Sequence, residues 1–522
     1  MVVPHGEPKV KKKSTSRSTP ARRSLGEGGF CKLHVLTCLV LFWGTVICLQ
    51  ATTITVTNTN DSGPGSLRHA LADANDGETI TFAVTGTIGL TSGELLVDKS
   101  VTISGPGTAN LAVDGNANSR VFHIGSGKTV SISGLTITNG NGASGNGGGG
   151  ILNDHATLTI DNCAVQNSFA LEYNYGGGVY NDGSAGSATL TILNSAITSN
   201  HAYSAGGGIC NDAYNGGSAM LTITNSSVSD NSAAFISDFG LSGGEGGGIY
   251  SDGGTVMITN SSVSGNSAGL IDPPPASYGG GISNYGTLTI TNSTINSNQC
   301  GWAGGGISNS GTLTIGSSTV SNNAAVSEYD GKPYGVGGGI SGGILTFINS
   351  TLSGNYANVS DGGISVGGCV ITNSTISGNN GSISVGGGGL EIGNTILNAS
   401  AGSANIINYG GTITSAGYNL SNDDGGGYLN GPGDQVNTDP MLVPLRDNGG
   451  ATFTHALLPG SPAINTGDPS FTPPPSYDQR GGPFVRVFNG RIDIGSFEAQ
   501  APRRPSPAPR SRPTPHPRPT PR

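Results

Sequence analysis

The strongest constraint on this chain is a phrase that returns along its middle. It reads Gly-Gly-Gly-Ile-x-Asn, a variable loop, Thr-Leu-Thr-Ile-x-Asn-Ser, four further residues and Asn. Its aliphatic anchor falls at Ile151, Val179, Ile209, Ile249, Ile282, Ile307, Ile340, Ile364 and Leu390, spaced 24 to 40 residues apart. A constant phrase with elastic spacing predicts a stacked coil whose loops vary in length. Within a copy, Leu221 and Ile223 flank Thr222, which is strand periodicity with one buried face. Leu158/Ile160, Leu190/Ile192, Val256/Ile258, Leu288/Ile290, Leu313/Ile315 and Leu345/Phe347 repeat it, and Val165, Ile197, Val228, Val263, Ile295, Val320 and Leu352 follow as a further inward position. No unit holds enough apolar surface to fold alone, so like positions must pile into aliphatic rows between parallel strands.

Asparagine marks two phases. Asn194, Asn225, Asn260, Asn292, Asn349 and Asn373 share one; Asn200, Asn231, Asn266, Asn298 and Asn355 share the other. Asn tolerates the left-handed backbone of sharp corners, and its amide can accept from one coil and donate to the next. The Gly triplets predict a further corner where a Cβ would clash. A phosphate-cradling loop is the sharper reading of Gly145–Gly150, but the corner is the favoured one, because no helix and no Lys-Ser/Thr follows and the run recurs in coil after coil.

The Gly-Gly-x-Ile and x-x-Asn pairing resembles the repeats of polymorphic outer membrane proteins and, more loosely, the pectate-lyase superfamily. That resemblance implies an all-β fold, a single-stranded right-handed parallel β-helix. About thirteen coils over residues 54–400 would span roughly 60 Å at strand spacing. Ser66 to Asn75 reads as one helix, capped by Ser66 and apolar along Leu67, Ala70, Leu71 and Ala74, a lid over the first coil. His69 lies beside that face and reads as a surface residue. The expected organisation is a basic lead and signal segment (1–51), the cap and first coils (52–140), the Gly/Asn-rich coils (141–400), a small C-terminal β-rich module (401–500) and a Pro/Arg-rich tail (501–522).

Residues 33–49 are apolar and uncharged behind eight basic side chains, the last of them Lys32. They read as a secretory signal cut after Ala51, although their length also fits an uncleaved anchor with its basic end inside. Without residues 1–32 and 501–522 the body carries 9 basic against 30 acidic side chains, near −21. Between Thr129 and Leu445 the only Lys or Arg is Lys332. Such a surface repels nucleic acid. Cys163, Cys210, Cys300 and Cys369 occupy different phases of the repeat and read as small packed residues rather than a disulfide or metal set.

After Leu397 the phrase fades. Asp439-Pro440-Met441-Leu442, Leu445 to Gly450, His455 to Ile464, Asp478-Gln479-Arg480-Gly481 and Arg491 to Glu498 together resemble the choice-of-anchor Q domain of bacterial surface proteins. The resemblance implies a location, exported and attached to an outer membrane or cell surface, more than a chemistry. The tail's arginines read as a basic, solvated spacer.

Three functions fit. Tyr173, Tyr175, Tyr203, Tyr214, Tyr278, Trp302, Tyr329 and Tyr334 lie in or beside the variable loops, where aromatic rings suit sugar stacking or a protein partner and equally suit pinning a loop to its coil. Adhesion or carbohydrate binding is therefore the first expectation, by a monomer whose partner is a polysaccharide or surface protein. The second is a polysaccharide hydrolase or lyase. Asn437-Thr438-Asp439 and Asp423-Asp424 resemble polygalacturonase blocks but stand in the wrong order, and Gly-His-Gly is absent. A lyase on uronates needs a base and calcium, and the repeats hold no Arg and one Lys. The third is a purely structural envelope protein. No cofactor is required; Asp423, Asp424, Asp434 and Asp439 are the candidate oxygen ligands for calcium. His455, Asp447, Asp468 and Arg480 form the best polar set by type, and packing is the expected role for it.

Overall fold

The computed structural model describes residues 52–142, 147–171, 174–237, 240–269, 277–329, 332–359 and 361–500. Residues 1–51, where the signal segment is expected, the Pro/Arg-rich residues 501–522 and Tyr173 lie outside the described residues. The chain is a parallel β-solenoid of about twelve turns with almost no helix.

A typical turn runs Val179–Asp182, Ser187–Leu193, Ala196–Thr198 and His201–Ala202. Each strand pairs in parallel with its equivalent in the next turn. Leu190 faces Leu221 and Ile192 faces Ile223, Ile197 faces Val228, and Ala202 faces Ala233. The first two strands of the turns build a 22-stranded sheet, the third strands a 13-stranded sheet and the fourth an 8-stranded one. Rows such as Ile209, Leu221, Ile223 and Val228 are fully buried, and each such side chain contributes about 1.5–3 kcal/mol. Alternate residues of the second strand, Thr189, Thr191 and Thr222 among them, face outward.

The two asparagine phases do different work. Asn194, Asn225, Asn260, Asn292, Asn349 and Asn373 sit at φ between 48° and 53° and turn the corner after the second strand. The buried amide ladder belongs to the other phase. Asn200 Nδ2 donates to Asn231 Oδ1 at 3.0 Å, Asn231 to Asn266 at 3.0 Å, Asn266 to Asn298 at 2.9 Å, and the series continues through Asn323 and Asn355 to Asn379. Each acceptor oxygen also takes the main-chain N–H of the preceding rung, as Asn231 N to Asn266 Oδ1 at 3.0 Å. The glycine corner is sterically forced: Gly206 has φ +65°, and a Cβ on Gly207 would lie 2.3 Å from Ser232 O and 2.4 Å from Gly247 O.

At the N-terminal end the helix is Leu67–Asp73, shorter than expected by one residue at its start and two at its end. Ser66 Oγ accepts from His69 N, and Leu67, Ala70 and Leu71 are buried against Thr53–Val56 and Leu95–Val97. At the other end the winding continues past residue 400. Ile406–Asn408 and Ile413–Gly417 pair with Ile383–Gly393, and Leu420–Ser421 pairs with Ile396–Asn398.

The chain then turns back as a strap along the third-strand sheet. Gln479 Nε2 donates to Thr319 Oγ1 at 2.8 Å, His455 Nε2 lies 2.9 Å from Ser353 Oγ, and Ser496 N donates to Thr375 Oγ1 at 3.0 Å. Thr319, Thr351 and Thr375 are consequently buried, whereas the equivalent Thr294 remains half-exposed. Within the strap, Arg480 pairs with Asp478 at 2.6 Å and its guanidinium lies 3.7 Å and 3.8 Å from the Phe484 and Phe497 ring centres. Asp447 and Asp468 accept from nearby backbone N–H groups of their own turns, so the polar set His455, Asp447, Asp468 and Arg480 is spread through the strap's packing. All four described cysteines are buried and unbridged.

Candidate functional site

The first strand of each turn reads aliphatic-x-Asn-Asp in four successive copies: Ile151–Asp154, Val179–Asp182, Ile209–Asp212 and, with Ser replacing Asn, Ile249–Asp252. The first and third residues point inward. The third supplies a second amide ladder, Asn153 to Asn181 and Asn181 to Asn211 at 2.7 Å each, closing on Ser251 Oγ at 3.3 Å. Strand alternation then sends the second and fourth residues out. In-register pairing aligns Leu152, Tyr180, Cys210, Tyr250 and Ser283 in one outward column and Asp154, Asp182 and Asp212 in another, with Asp252 next in line. Adjacent carboxylates are thus about one strand spacing apart, ~4.7–4.9 Å along the axis.

A third column comes from the residue ahead of each Gly triplet: Tyr175, Ala205, Glu245, Tyr278, Ala303 and Val336 are bridged in that order. It brings Tyr175 to a ring-centre distance of 6.4 Å from Tyr180 and 6.3 Å from Tyr250, the latter at an interplanar angle of 22°. Tyr250 meets Tyr285 edge-on at 5.9 Å. Tyr175 and Tyr285 are 40% and 41% exposed, so the ladder presents ring surface to solvent. Its hydroxyls tie it to the acids: Tyr180 Oη donates to Asp212 Oδ2 at 2.7 Å, and Tyr285 Oη and Ser283 Oγ donate to Glu245 Oε2 at 2.9 Å and 3.1 Å.

Burial lifts the Glu245 carboxyl above its ordinary pKa, an effect opposed by the Tyr285 and Ser283 hydrogen bonds and reinforced by Asp252. Burial, with the Asp212 charge behind it, lifts Asp252 as well. Burial and neighbouring acids push the Tyr180 and Tyr250 hydroxyls up, so both remain neutral donors.

The N-terminal end of the strip differs. Among the described residues, Asp154, His155 and Asp182 are the group of three metal-type side chains whose ligand atoms lie within 4.8 Å of one another. His155 Nδ1 lies 2.5 Å from Asp154 Oδ1, and Nε2 lies 2.8 Å from Ser184 O. Both ring nitrogens therefore face acceptors, and the Asp154 contact, with Ser184 O behind it, raises the pKa of the ring and favours its charged form. His123 Nδ1 lies 3.0 Å from Glu94 Oε1, and its buried Nε2 lies 3.5 Å from Asp154 Oδ2 without a hydrogen bond among the described residues. Two carboxylates around a protonated imidazole make an ion-pair chain and a poor cage for calcium, which takes six to eight oxygens.

Of the residues anticipated as ligand contacts, Tyr175 belongs to the ladder and Tyr278 lies in the column beside it. Trp302 and Tyr334 stack on each other at 5.7 Å and 18°. Tyr214 is 61% exposed and Tyr203 half-buried; Tyr329 lies in a two-stranded hairpin with Lys332–Pro333. The four candidate calcium ligands are dispersed among other duties. Asp423 accepts from Asn405 N and Nδ2, Ser421 Oγ and Gly425 N at 2.7–2.9 Å; burial pushes its pKa up, and these bonds outweigh that and leave it lowered. Asp434 accepts from Asn419 N and Nδ2 at 2.8 Å and 3.0 Å. Asp424 and Asp439 accept main-chain N–H groups from Gly426 and Met441.

Asp154, Asp182, Asp212, Glu245 and Asp252 were not singled out from the sequence. The signal was present: an acid stands at the fourth position after the Gly triplet in four copies in a row. A separate groove of about 670 Å³ crosses the second strands near the C-terminal end, floored by Gly368 and Gly389 and flanked by Ile344, Val370 and Glu391; it holds no aromatic ring.

No family model matches the chain, and no curated protein does. Solved structures with similarity include a pectate lyase Pel9A (14% identity, 86% of this chain and 98% of that one, TM-score 0.38). The Dettilon tailspike protein gp208 (14%, 74% and 69%, TM-score 0.38) and ORF18 of Geobacillus virus E2 (11%, 69% and 61%, TM-score 0.36) are others. At these scores the likeness says nothing about chemistry.

Proposed function

We propose that this chain is an exported, surface-associated solenoid that binds polysaccharide along the strip running from Tyr175 to Tyr285. The observation that carries the reading is the solvent-open ring ladder Tyr175–Tyr250–Tyr285 lying against Asp212, Asp252 and Glu245. Sugar rings stack on aromatic faces while carboxylates accept their hydroxyls. The solenoid supplies reach, and residues 437–500 with the basic tail supply attachment. Residues 33–49 supply the export signal.

A hydrolase is the second reading, and one observation favours it. Glu245, its pKa raised by burial and its carboxyl hydrogen-bonded to Tyr285, is the group that would give a proton to a leaving sugar, with Asp252 or Asp212 placing a water. A glycan array on the full chain, followed by product analysis, separates the two. Retention without new reducing ends supports binding, and loss of that retention in Tyr250→Ala locates it on the strip. New reducing ends that vanish in Glu245→Gln would replace the binding reading with the enzymatic one. No retention on any glycan would refute both.

A further inference from the structure

Resting on that reading, we propose that the strip's ligand is a cationic polysaccharide, a linear chain whose sugars carry free amino groups. The argument is one of charge complementarity. Five carboxylates, Asp154, Asp182, Asp212, Glu245 and Asp252, are set in or beside consecutive turns. The only imidazoles among them, His123 and His155, stand at the N-terminal end, each already pairing with a carboxylate. Toward the C-terminal end, Asp212, Glu245 and Asp252 form no ion pair among the described residues, and the sequence offers only Lys332 between Thr129 and Leu445.

These three acids surround the exposed part of the ring ladder. Among the described residues the Asp252 carboxylate receives no hydrogen bond, and both donors to Glu245 use Oε2. Each of the two is destabilised as an anion where it stands, and a ligand ammonium would supply the missing charge. A polyuronate is repelled by this strip. A neutral glycan stacks on the rings but leaves the acids unanswered. An amino-bearing sugar does both, because its ring stacks on tyrosine while its ammonium meets a carboxylate or lies over a neighbouring ring face. The geometry also fits: the aspartate column advances by ~4.7–4.9 Å per turn, so an extended chain of sugars laid along it passes Asp212 and then the Glu245 and Asp252 pair of the next turn.

The test measures binding of the full chain to a glucosamine hexamer, the N-acetylglucosamine hexamer, polygalacturonate with and without calcium, and polylysine, each at low and high salt. The free-amine hexamer should bind at least about tenfold tighter than the acetylated one and weaken with salt. Asp252→Asn, which removes no hydrogen bond among the described residues, should erase about tenfold of that preference, while Tyr250→Ala should weaken both hexamers; unchanged circular dichroism checks folding. Equal binding of both hexamers would overturn the cationic ligand and leave the glycan-binding strip standing. Binding of neither would remove both. Polylysine bound as tightly as the amine hexamer and indifferent to Tyr250→Ala would reduce the strip to an ion exchanger. Calcium-dependent capture of polygalacturonate alone would replace the ammonium with a bridging metal.

Discussion

Replacing Asn266 by Ala removes one rung from the middle of the buried ladder. Four hydrogen bonds go with it: Asn231 N and Nδ2 lose Asn266 Oδ1 at 3.0 Å, and Val228 O and Asn298 Oδ1 lose the Asn266 amide at 3.0 Å and 2.9 Å. Asn231 Nδ2 keeps Ile197 O, and Asn298 Oδ1 keeps Asn266 N. The Asn231 main-chain N–H is left without its acceptor in a buried corner. One orphaned donor costs about 1–3 kcal/mol and each of the three other lost bonds about 0.5–1.5 kcal/mol, so the variant should lose about 2.5–7.5 kcal/mol. The assay is urea unfolding paired with hydrogen exchange. Because each turn touches only its neighbours, protection should fall first in the turns carrying Val228, Asn231 and Asn298. The control is Asn296→Ala: this residue points outward from a neighbouring strand, its amide makes a single 3.4 Å contact with Ser297, and its loss should change stability by about 0.5 kcal/mol or less. Equal midpoints for the two variants would refute the claim that the ladder holds the turns together.

Three further outcomes are expected. Gly207→Ala drives a Cβ to within 2.3 Å of Ser232 O and 2.4 Å of Gly247 O, so it should lower the unfolding midpoint by clearly more than Gly216→Ala, where φ is +75° and the space is open. Gln479→Ala should strip Thr319, Thr351, Thr452 and Phe453 of a shared partner, and limited proteolysis should then release residues 452–498 while the turns stay intact. Burial and the neighbouring Asp493 push Glu498 up to about 8 against the pull of Arg486; a raised carboxyl stabilises the fold below its ordinary pKa and loses that contribution as pH rises through 8. Strap protection should therefore fall by roughly 4 kcal/mol between about pH 5 and pH 9, and Glu498→Gln should flatten the profile.

The parts of this molecule that were legible in the sequence are those that repeat. Leu221 and Ile223 point inward because they alternate with threonine, and Asn194 and Asn225 turn corners because few other side chains accept that backbone. The two amide phases look alike as text, however. Only the turn geometry separates the corner residues from the ladder residues. The strip was hidden for a related reason: its three columns come from different positions of the phrase, and Glu245 reaches Tyr285, 40 residues on, because two turns stack. The strap carries no period, so nothing in Gln479 or His455 points to Thr319 or Ser353, more than a hundred positions away.

The one-way chain of amide donors has a further consequence. Every rung presents the same acceptor to the turn before it and the same donor to the turn after it, so the joints are identical while the excursions between them vary from one turn to the next. A gene for such a protein can gain or lose a whole winding by recombination between copies without redesigning a seam. Longer excursions can be grafted outside the barrel at little thermodynamic expense. The same property makes the scaffold extendable by design: duplicating one winding that carries both a tyrosine and an acid would lengthen the strip by one step and leave every older joint as it was.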